Sequence, residues 1–349
     1  MSDVETAPIG ARESRWLAAH GLPAGRIVRA RRLAGGYRND NTLLVTDTGE
    51  RYVLRRHRHD DRAEVEAALT RRVAGLVPVA EVVAVGRPGT AGEGLLLSRF
   101  VPGTLVRDLL PELPADEAAA LGVAVGRALA GAGAVRFAGP GFFTGPDLAV
   151  ARPDGMGDLP GFVDECLRSP GPAAVLTPAE RQDLRRLASR SAPLLAGGPA
   201  AGADRLVHGD YNPKNLLAER RDSGWTVTAV LDWEFAFSGS PLTDVGNLLR
   251  FDREFPAGFV DGFLDGFDVA GGALPARWRQ ISRALDLFAL ADLLTRPVDH
   301  PYFGRAVTAV RHRIGCVGYP DQPDVTRRAS RGGWPAARPG TGCGPPAPA

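Results

Sequence analysis

A two-lobed α+β fold is predicted by three features of this sequence: a small antiparallel sheet with one helix precedes a larger, mainly helical lobe that contains a β-hairpin. Between Ile27 and Phe100, short alternating or β-branched runs are separated by glycine-bearing turns. Beyond Gly103 the apolar residues recur mostly at helical spacing. One stretch inside that second part, LLAERRDSGWTVTAVLDW from Leu216, returns to strand-like alternation around an Arg-Asp-Ser-Gly turn.

The strands expected in the first part are IVRARRLA, NTLLVTD, RYVLRR, PVAEVVAVG and GLLLSRFV, starting at Ile27, Asn41, Arg51, Pro78 and Gly94. A helix interrupts them. It starts near Asp60 and Asp61, whose side chains can cap its first amides, and it carries Val65, Leu69, Val73 and Leu76 on one face. In the second part helices are expected over residues 116–131, 159–167, 178–195, 244–251 and 276–294. No repeat of fixed period is present. The expected organisation is a flexible N-terminus over 1–11, a first lobe over 12–101, a second over 102–318 and a disordered tail over 319–349. That tail is rich in Gly, Pro and Ala, and lacks the apolar periodicity needed to offset its ordering entropy.

With 349 residues, 44% of them hydrophobic, the chain can bury a sizeable core. The longest apolar run, AAALGVAVGRALAGAGAV from Ala118, is broken by Arg127 and made largely of Ala and Gly, so it reads as a packed helix and not a membrane span. The net charge of +2 comes from the part of the tail after Val325, whose four arginines have no acidic counterpart, and the rest of the chain is slightly acidic. Bulk charge therefore gives no support to nucleic-acid binding. Cys166, Cys316 and Cys343 are odd in number and form no Cys-x-x-Cys pair, which argues against a disulfide framework and a structural zinc. The front of the chain is polar and has no signal-peptide pattern. A cytoplasmic protein is expected.

The chemistry concentrates in LVHGDYNPKNLL, residues 206–217. His208-Gly209-Asp210 is followed five positions on by Asn215, just before an apolar strand. This is the spacing of a phosphoryl-transfer loop in which Asp accepts a hydroxyl proton and Asn holds magnesium. Asp232 sits at the far end of the predicted hairpin, and hairpin geometry brings its two ends together. Asn215 and Asp232 can therefore share one Mg2+, a hard cation that takes oxygen ligands and usually keeps phosphates and waters as well.

HGDYNPKN and LDWEFAFSGSPLTDVGNLLR resemble the catalytic and metal loops of the aminoglycoside phosphotransferase family, a branch of the protein-kinase-like fold, over roughly residues 33–317. Asp-Trp-Glu stands where protein kinases have Asp-Phe-Gly. The resemblance implies a small-molecule kinase with a nucleotide-binding first lobe. It implies Asp210 as base, His208 as a hydrogen-bonding support of the loop, and Asp244 as a buried brace, although Asp244 can also cap the helix that follows it. The loop LAGGYRND resembles the family's Gly-Gly-x-x-Asn turn over the phosphates, with Gly35, Gly36 and Asn39. LLLSRFVPG resembles the interlobe hinge, so that backbone groups of Arg99, Phe100 and Val101 would meet the base.

The chain has one lysine, Lys214, and it lies in the catalytic loop, so the kinase strand lysine is absent. Its place falls on Arg55, with Arg56 as the alternate. Alternation sets Val53 and Arg55 on one face of the strand, where Val53 would line the base pocket and Arg55 would bind phosphate. On the helical wheel Glu66 lies closer to the apolar face than Glu64 and is the expected partner of Arg55. The expected activity is transfer of the γ-phosphoryl group of ATP or GTP to a hydroxyl of an aminoglycoside-like or related metabolite. The alternatives are a housekeeping alcohol such as an amino alcohol, homoserine or a sugar-amine adduct, or a non-catalytic nucleotide-binding protein of the same fold. An amino sugar would call on acidic residues, for which Asp158, Asp164, Glu165, Asp286 and Asp292 are candidates. No feature of the sequence fixes an oligomeric state.

Overall fold

The short alternating runs of the first hundred residues pair into one antiparallel sheet. In this computed structural model, which describes residues 9–20, 22, 26–33, 39–57, 62–86, 94–196 and 203–315, its strands are β1 (Ile27–Arg32), β2 (Asn39–Thr46), β3 (Arg51–His57), β4 (Val82–Gly86) and β5 (Leu95–Arg99), in the order β1-β2-β3-β5-β4. Successive side chains of β3 point to opposite faces. Tyr52 and Leu54 are buried in a small core with Leu44, Leu97, Trp16 and Leu17. Trp16 and Leu17 come from α1 (Ala11–Ala19), a helix that periodicity did not suggest.

The predicted helix of this lobe is α2 (Ala63–Val73). Val65, Leu69 and Val73 are buried as expected, but the helix ends before Leu76, which is 52% exposed. Arg62 stands at its N-cap without a side-chain cap bond, and Asp60 and Asp61 lie outside the described residues. Gly35 and Gly36, Cys316 and Cys343, and the Gly/Pro-rich tail lie outside them too.

Beyond the sheet the chain is mainly helical. β6 (Thr104–Leu105), α3 (Val106–Leu109) and α4 (Ala115–Gly133) lead to the short strands β7 (Gly141–Phe143) and β8 (Val150–Ala151). Helices α5 (Leu159–Leu167), α6 (Pro170–Val175) and α7 (Pro178–Leu195) follow. The bounds of α5 and α7 are those the sequence predicts, because each has a capping signal: Asp158 accepts from the Gly161 amide, and Thr177 and Glu180 form a capping box. Next come β9 (Arg205–Val207) and the predicted hairpin, β10 (Leu216–Arg221) and β11 (Gly224–Val230), which β6 extends to three strands. β12 (Phe237–Gly239) pairs between β7 and β9. The chain then forms α8 (Leu242–Leu248), a 3-10 turn over Leu249–Glu254, α9 (Phe259–Val269), α10 (Trp278–Leu293) and α11 (Phe303–Gly315). Among the described residues no helix is long and apolar enough to cross a membrane, and the alanine-rich run from Ala118 forms part of α4.

One core cluster joins α2, α4, α9 and the hairpin; a second joins α5, α7, α10 and α11. The α4–α9 contact depends on glycine. Gly122 and Gly126 on α4 face Gly262 and Gly266 on α9, so closely that a Cβ at Gly126 would lie 2.1 Å from the Phe263 carbonyl oxygen. These glycines lower helix propensity, which is why α9 was not predicted, and packing overrides that preference. The contact bears on the site, because α4 receives a hydrogen bond from the loop that carries Asp210. Gly126→Ala is expected to lower Tm, with an overpacking cost of about 1–3 kcal/mol. Gly304→Ala, whose Cβ would meet nothing within 4 Å, serves as control. Equal thermal unfolding of the two variants would show that the helices can separate without penalty.

Candidate active site

β9 delivers the chain to His208, which is fully buried. Its Nε2 donates to the Leu231 carbonyl at 2.8 Å and its Nδ1 accepts from the Asp210 amide at 3.2 Å, a pairing that assigns the hydrogen to Nε2. The ring therefore ties the loop to the end of the hairpin. Asp244 ties it from below: one carboxylate oxygen accepts from the His208 amide at 2.7 Å and the other from the Gly209 amide at 2.9 Å. Asp244 lies in the first turn of α8 and is not its N-cap, which is Pro241. The capping role open to it in the sequence is thus replaced by the brace. Burial pushes its pKa up to about 6, against the lowering effect of His208 and the two amides.

Gly209 has φ +80°, and a Cβ there would meet the Phe235 carbonyl oxygen at 2.4 Å, so the position requires glycine. Asn247 donates to the Gly209 carbonyl at 3.0 Å, and the Tyr211 hydroxyl donates to the Val125 carbonyl of α4 at 2.7 Å. The loop is held on every side except the one that bears Asp210. That carboxylate accepts from Asn212 Nδ2 at 2.7 Å and Asn215 Nδ2 at 2.9 Å, and Lys214 Nζ lies 3.0 Å from it. Burial opposes the charge of Lys214, but Asp210 holds its pKa above the ordinary value. With its amide nitrogen turned to Asp210, Asn215 keeps Oδ1 for another partner.

The hairpin brings the metal-loop residue close in the way its register requires: Leu216 pairs with Val230, and the Leu231 amide donates to the Asn215 carbonyl at 2.8 Å. Asp232 follows in a left-handed conformation, φ +69° and ψ +62°, which a non-glycine residue adopts at a cost of about 1–3 kcal/mol. Its carboxylate accepts a hydrogen bond from Arg55. Arg55 also lies 3.4 Å from Glu66 and 3.7 Å from Glu234. Burial disfavours the charge of Arg55, yet Glu66, Asp232 and Glu234 raise its pKa above that of an ordinary arginine. In the same way burial would raise the Asp232 pKa, but Arg55 brings it below the usual carboxylate value. Glu234 is shifted upward by burial and by Asp232.

Of the two arginines weighed on this strand, Arg55 faces the cleft and Arg56 turns away to Glu13 and Asp40. Of the two glutamates, Glu66 is buried, between Arg55 and His57 (3.1 Å from its Nε2), while Glu64 is half-buried with no contact to Arg55. Asn39 donates to Glu234 at 3.0 Å. The amides of Arg99 and Phe100 donate to the Glu81 and Arg51 carbonyls, and both residues line the cleft with Val101.

Three carboxylates thus share one guanidinium, and their surplus charge, all on hard oxygens, suits a divalent cation near Asp232 and Asn215 Oδ1. Among the described residues no three His, Cys, Asp or Glu side chains are arranged to hold a metal unaided. The cleft between the lobes has a volume of about 540 Å³, and Val53, Val82, Leu96 and Leu217 give it apolar walls beside these charges. Sequence reasoning noticed Lys214 through its uniqueness but not its contact with Asp210; it also missed Arg296, which lies in no motif, and gave no role to Arg250, the last residue of LDWEFAFSGSPLTDVGNLLR, although both line the cleft.

Comparison with known proteins agrees with this architecture. The aminoglycoside phosphotransferase APH(4)-Ia, as a thermostable mutant in ternary complex with ADP and hygromycin B, superposes with a TM-score of 0.65 at 19% identity, covering 88% of this chain and 99% of its own. APH(2")-IIIa with GDP and kanamycin gives 0.61 at 16% identity, covering 88% and 99%. A putative aminoglycoside phosphotransferase from Ralstonia eutropha JMP134 gives 0.61 at 18%, covering 87% and 94%. No curated protein sequence matches. The family model described as phosphotransferase enzyme family matches residues 29–281. With that match over most of its length and the kinase-like two-lobed fold of these neighbours, the chain belongs to the phosphotransferase enzyme family.

Proposed function

We propose that the chain transfers the γ-phosphoryl group of ATP or GTP to a hydroxyl group of a small molecule, with Asp210 as the base. The observation that carries this reading is the pairing of Asp210 with Asn215 and Lys214 on a braced loop, opposite an Asp232 held in a strained conformation. Phosphoryl transfer passes through a loose transition state, so the protein chiefly orients groups and offsets charge. The acceptor oxygen forms a bond to the γ-phosphorus as the bond to the β-phosphate oxygen breaks, and its proton passes to an Asp210 carboxylate oxygen. Oδ2 already meets both Asn215 and Lys214, whereas Oδ1 accepts from Asn212 and has its second lone pair for the hydroxyl. Lys214 sets positive charge 3.0 Å from the proton acceptor. Magnesium, held by Asn215 Oδ1 and Asp232, would supply neutralisation of the phosphate oxygens. Arg55 sits within reach of the same phosphates, and Val53 lines the slot for the base.

If Asp210 is the base, Asp210→Asn keeps the shape and removes the proton acceptor. Turnover is expected to fall by at least about 10², with magnesium–nucleotide affinity nearly unchanged in calorimetry. A variant turning over at the native rate excludes Asp210 as base. Asp232→Ala, by contrast, is expected to lose turnover and magnesium–nucleotide binding together. Were its nucleotide affinity intact, Asp232 would not be a ligand.

The pH dependence follows from Asp244. Its folded pKa, about 6, lies above the ordinary carboxylate value of about 3.9. Its contribution to stability is therefore fully present below that ordinary value and is lost as pH rises through about 6. Function runs the other way, because protonation below pH 6 would turn one of the two amide acceptors facing the loop into a hydroxyl. Turnover is expected to decline about tenfold per unit below that pKa. Asp244→Asn should be slower at neutral pH and show no such acid limb. An unchanged limb in that variant would assign it to another group.

A further inference from the structure

On the helical lobe the residues lining the cleft include Lys214, Asn247, Arg250, Asp292, Arg296 and Tyr302, beside Asp210. Lys214, Arg250 and Arg296 are cations, and Asp210 and Asp292 are acids. Both of these acids are already engaged by a cation: Asp292 accepts from Arg296 at 2.7 Å, and Asp210 faces Lys214 at 3.0 Å. Asp286, fully buried behind this wall, accepts from Arg250 at 2.7 Å and from Arg313 at 2.5 Å. Two guanidiniums therefore share one carboxylate, and the Arg250 side chain, only 8% exposed, brings charge to the cleft that Asp286 does not fully cancel. The crowding of positive charge appears also in Arg313, whose pKa burial lowers first and Arg250 and Arg283 lower further, against the pull of Asp286. Asn247, 4% exposed, uses its amide nitrogen on Gly209, and its Oδ1 has no hydrogen-bond partner.

This is the wrong wall for a polycationic amino sugar. Of the acidic residues such a substrate would call on, Asp158 caps α5 and Asp164 pairs with Arg185, and neither they nor Glu165 line the cleft. Asp286 and Asp292 are both held by arginine. We propose that the acceptor is an alcohol bearing an anionic group, a carboxylate or a phosphate, which Arg250, Arg296 and Lys214 hold while its hydroxyl faces Asp210. The inference rests on the kinase reading above, with Asp210 as base. Arginine suits both anions, since its planar fork can bind two oxygens of either one. Asn247 Oδ1 adds an acceptor for a second hydroxyl or amine on the same molecule.

The test uses the full chain saturated with magnesium and a non-hydrolysable ATP analogue. It is titrated by calorimetry with D-glycerate, glycerol 3-phosphate, uncharged glycerol and hygromycin B, and each compound is then assayed for phosphorylation with ATP. At least one of the two anionic alcohols is expected to bind and be phosphorylated, and which of them does so identifies the anion as carboxylate or phosphate. In Arg296→Gln, a change at a side chain about a third exposed, the KM for that alcohol should rise at least about tenfold, with kcat less affected and ATP affinity unchanged. Arg250→Lys provides a second variant that keeps the charge but not the fork, and should weaken the same alcohol. Binding and phosphorylation of hygromycin B, glycerol binding as tightly as the anions, or no binding of either anion would each overturn the proposal. Failure of the kinase reading would register separately, as absence of both magnesium–ATP binding and any ATP turnover.

Discussion

A single guanidinium couples the sheet to the helical lobe. Arg55 on β3 reaches Glu66 on α2 and, across the cleft, Asp232 and Glu234 at the end of the hairpin. Burying such a charge is costly unless it is paired, and here it is paired three times over. Arginine meets this demand better than lysine would, because it stays charged when buried and its fork addresses several carboxylates at once. The arrangement also explains its neighbours. Glu66 is buried because Arg55 and His57 flank it, and Asn39 points at Glu234 because that carboxylate, third in the sharing of one cation, accepts another donor. What Arg55 leaves is surplus negative charge on hard oxygens, which is the condition under which a divalent cation and its phosphates bind.

The brace at Asp244 solves a different problem with the same physics. A loop that presents the Asp210 carboxylate to a cleft has backbone amides that would otherwise be buried without partners. Asp244 accepts two of them and His208 a third. An ionised carboxylate among apolar helices is unfavourable in itself, as its raised pKa records. The fold tolerates that penalty because the alternative, two unsatisfied amides and a mobile loop, would cost about 1–3 kcal/mol for each unmade bond.

Much of this was legible in the sequence wherever a local rule decides the outcome. The hairpin is legible from its turn, α5 and α7 from the helical pattern of their stretch of chain, and the facing of Arg55 against Arg56 from strand alternation. Glu66 was preferred to Glu64 from the wheel, and the structure buries it beside Arg55. What could not be read depends on contacts distant in sequence. α9 is glycine-rich because α4 packs against it, α1 is helical with Trp16 and Leu17 seated on the sheet, and Leu76 drops off its helix because the chain turns at Gly75, which has φ +84°. Asp244 carries the same sequence signature whether it caps its helix or braces a loop 35 residues earlier. Arg296 enters the cleft only through the path of the helical lobe, with no local pattern to mark it, and Arg250 stands at the end of a motif that says nothing of where its side chain goes.

The two ends of the cleft differ in sign, and the catalytic loop separates them. On the sheet side Glu66, Asp232 and Glu234 outnumber Arg55; on the helical side Lys214, Arg250 and Arg296 meet two carboxylates that they already engage and a third, Asp286, shared from behind. Adjacent residues of the loop serve opposite ends. Asn215 turns its nitrogen to Asp210, while Lys214 sets its ammonium against the same carboxylate and the Tyr302 ring, 4.9 Å away. Asp210 therefore lies where the local field changes sign. A carboxylate in that position is set against Lys214 and apart from the pair formed by Asn215 Oδ1 and Asp232, which is the separation the proposed reaction needs if the loop is to orient a hydroxyl without drawing a cation onto its own base.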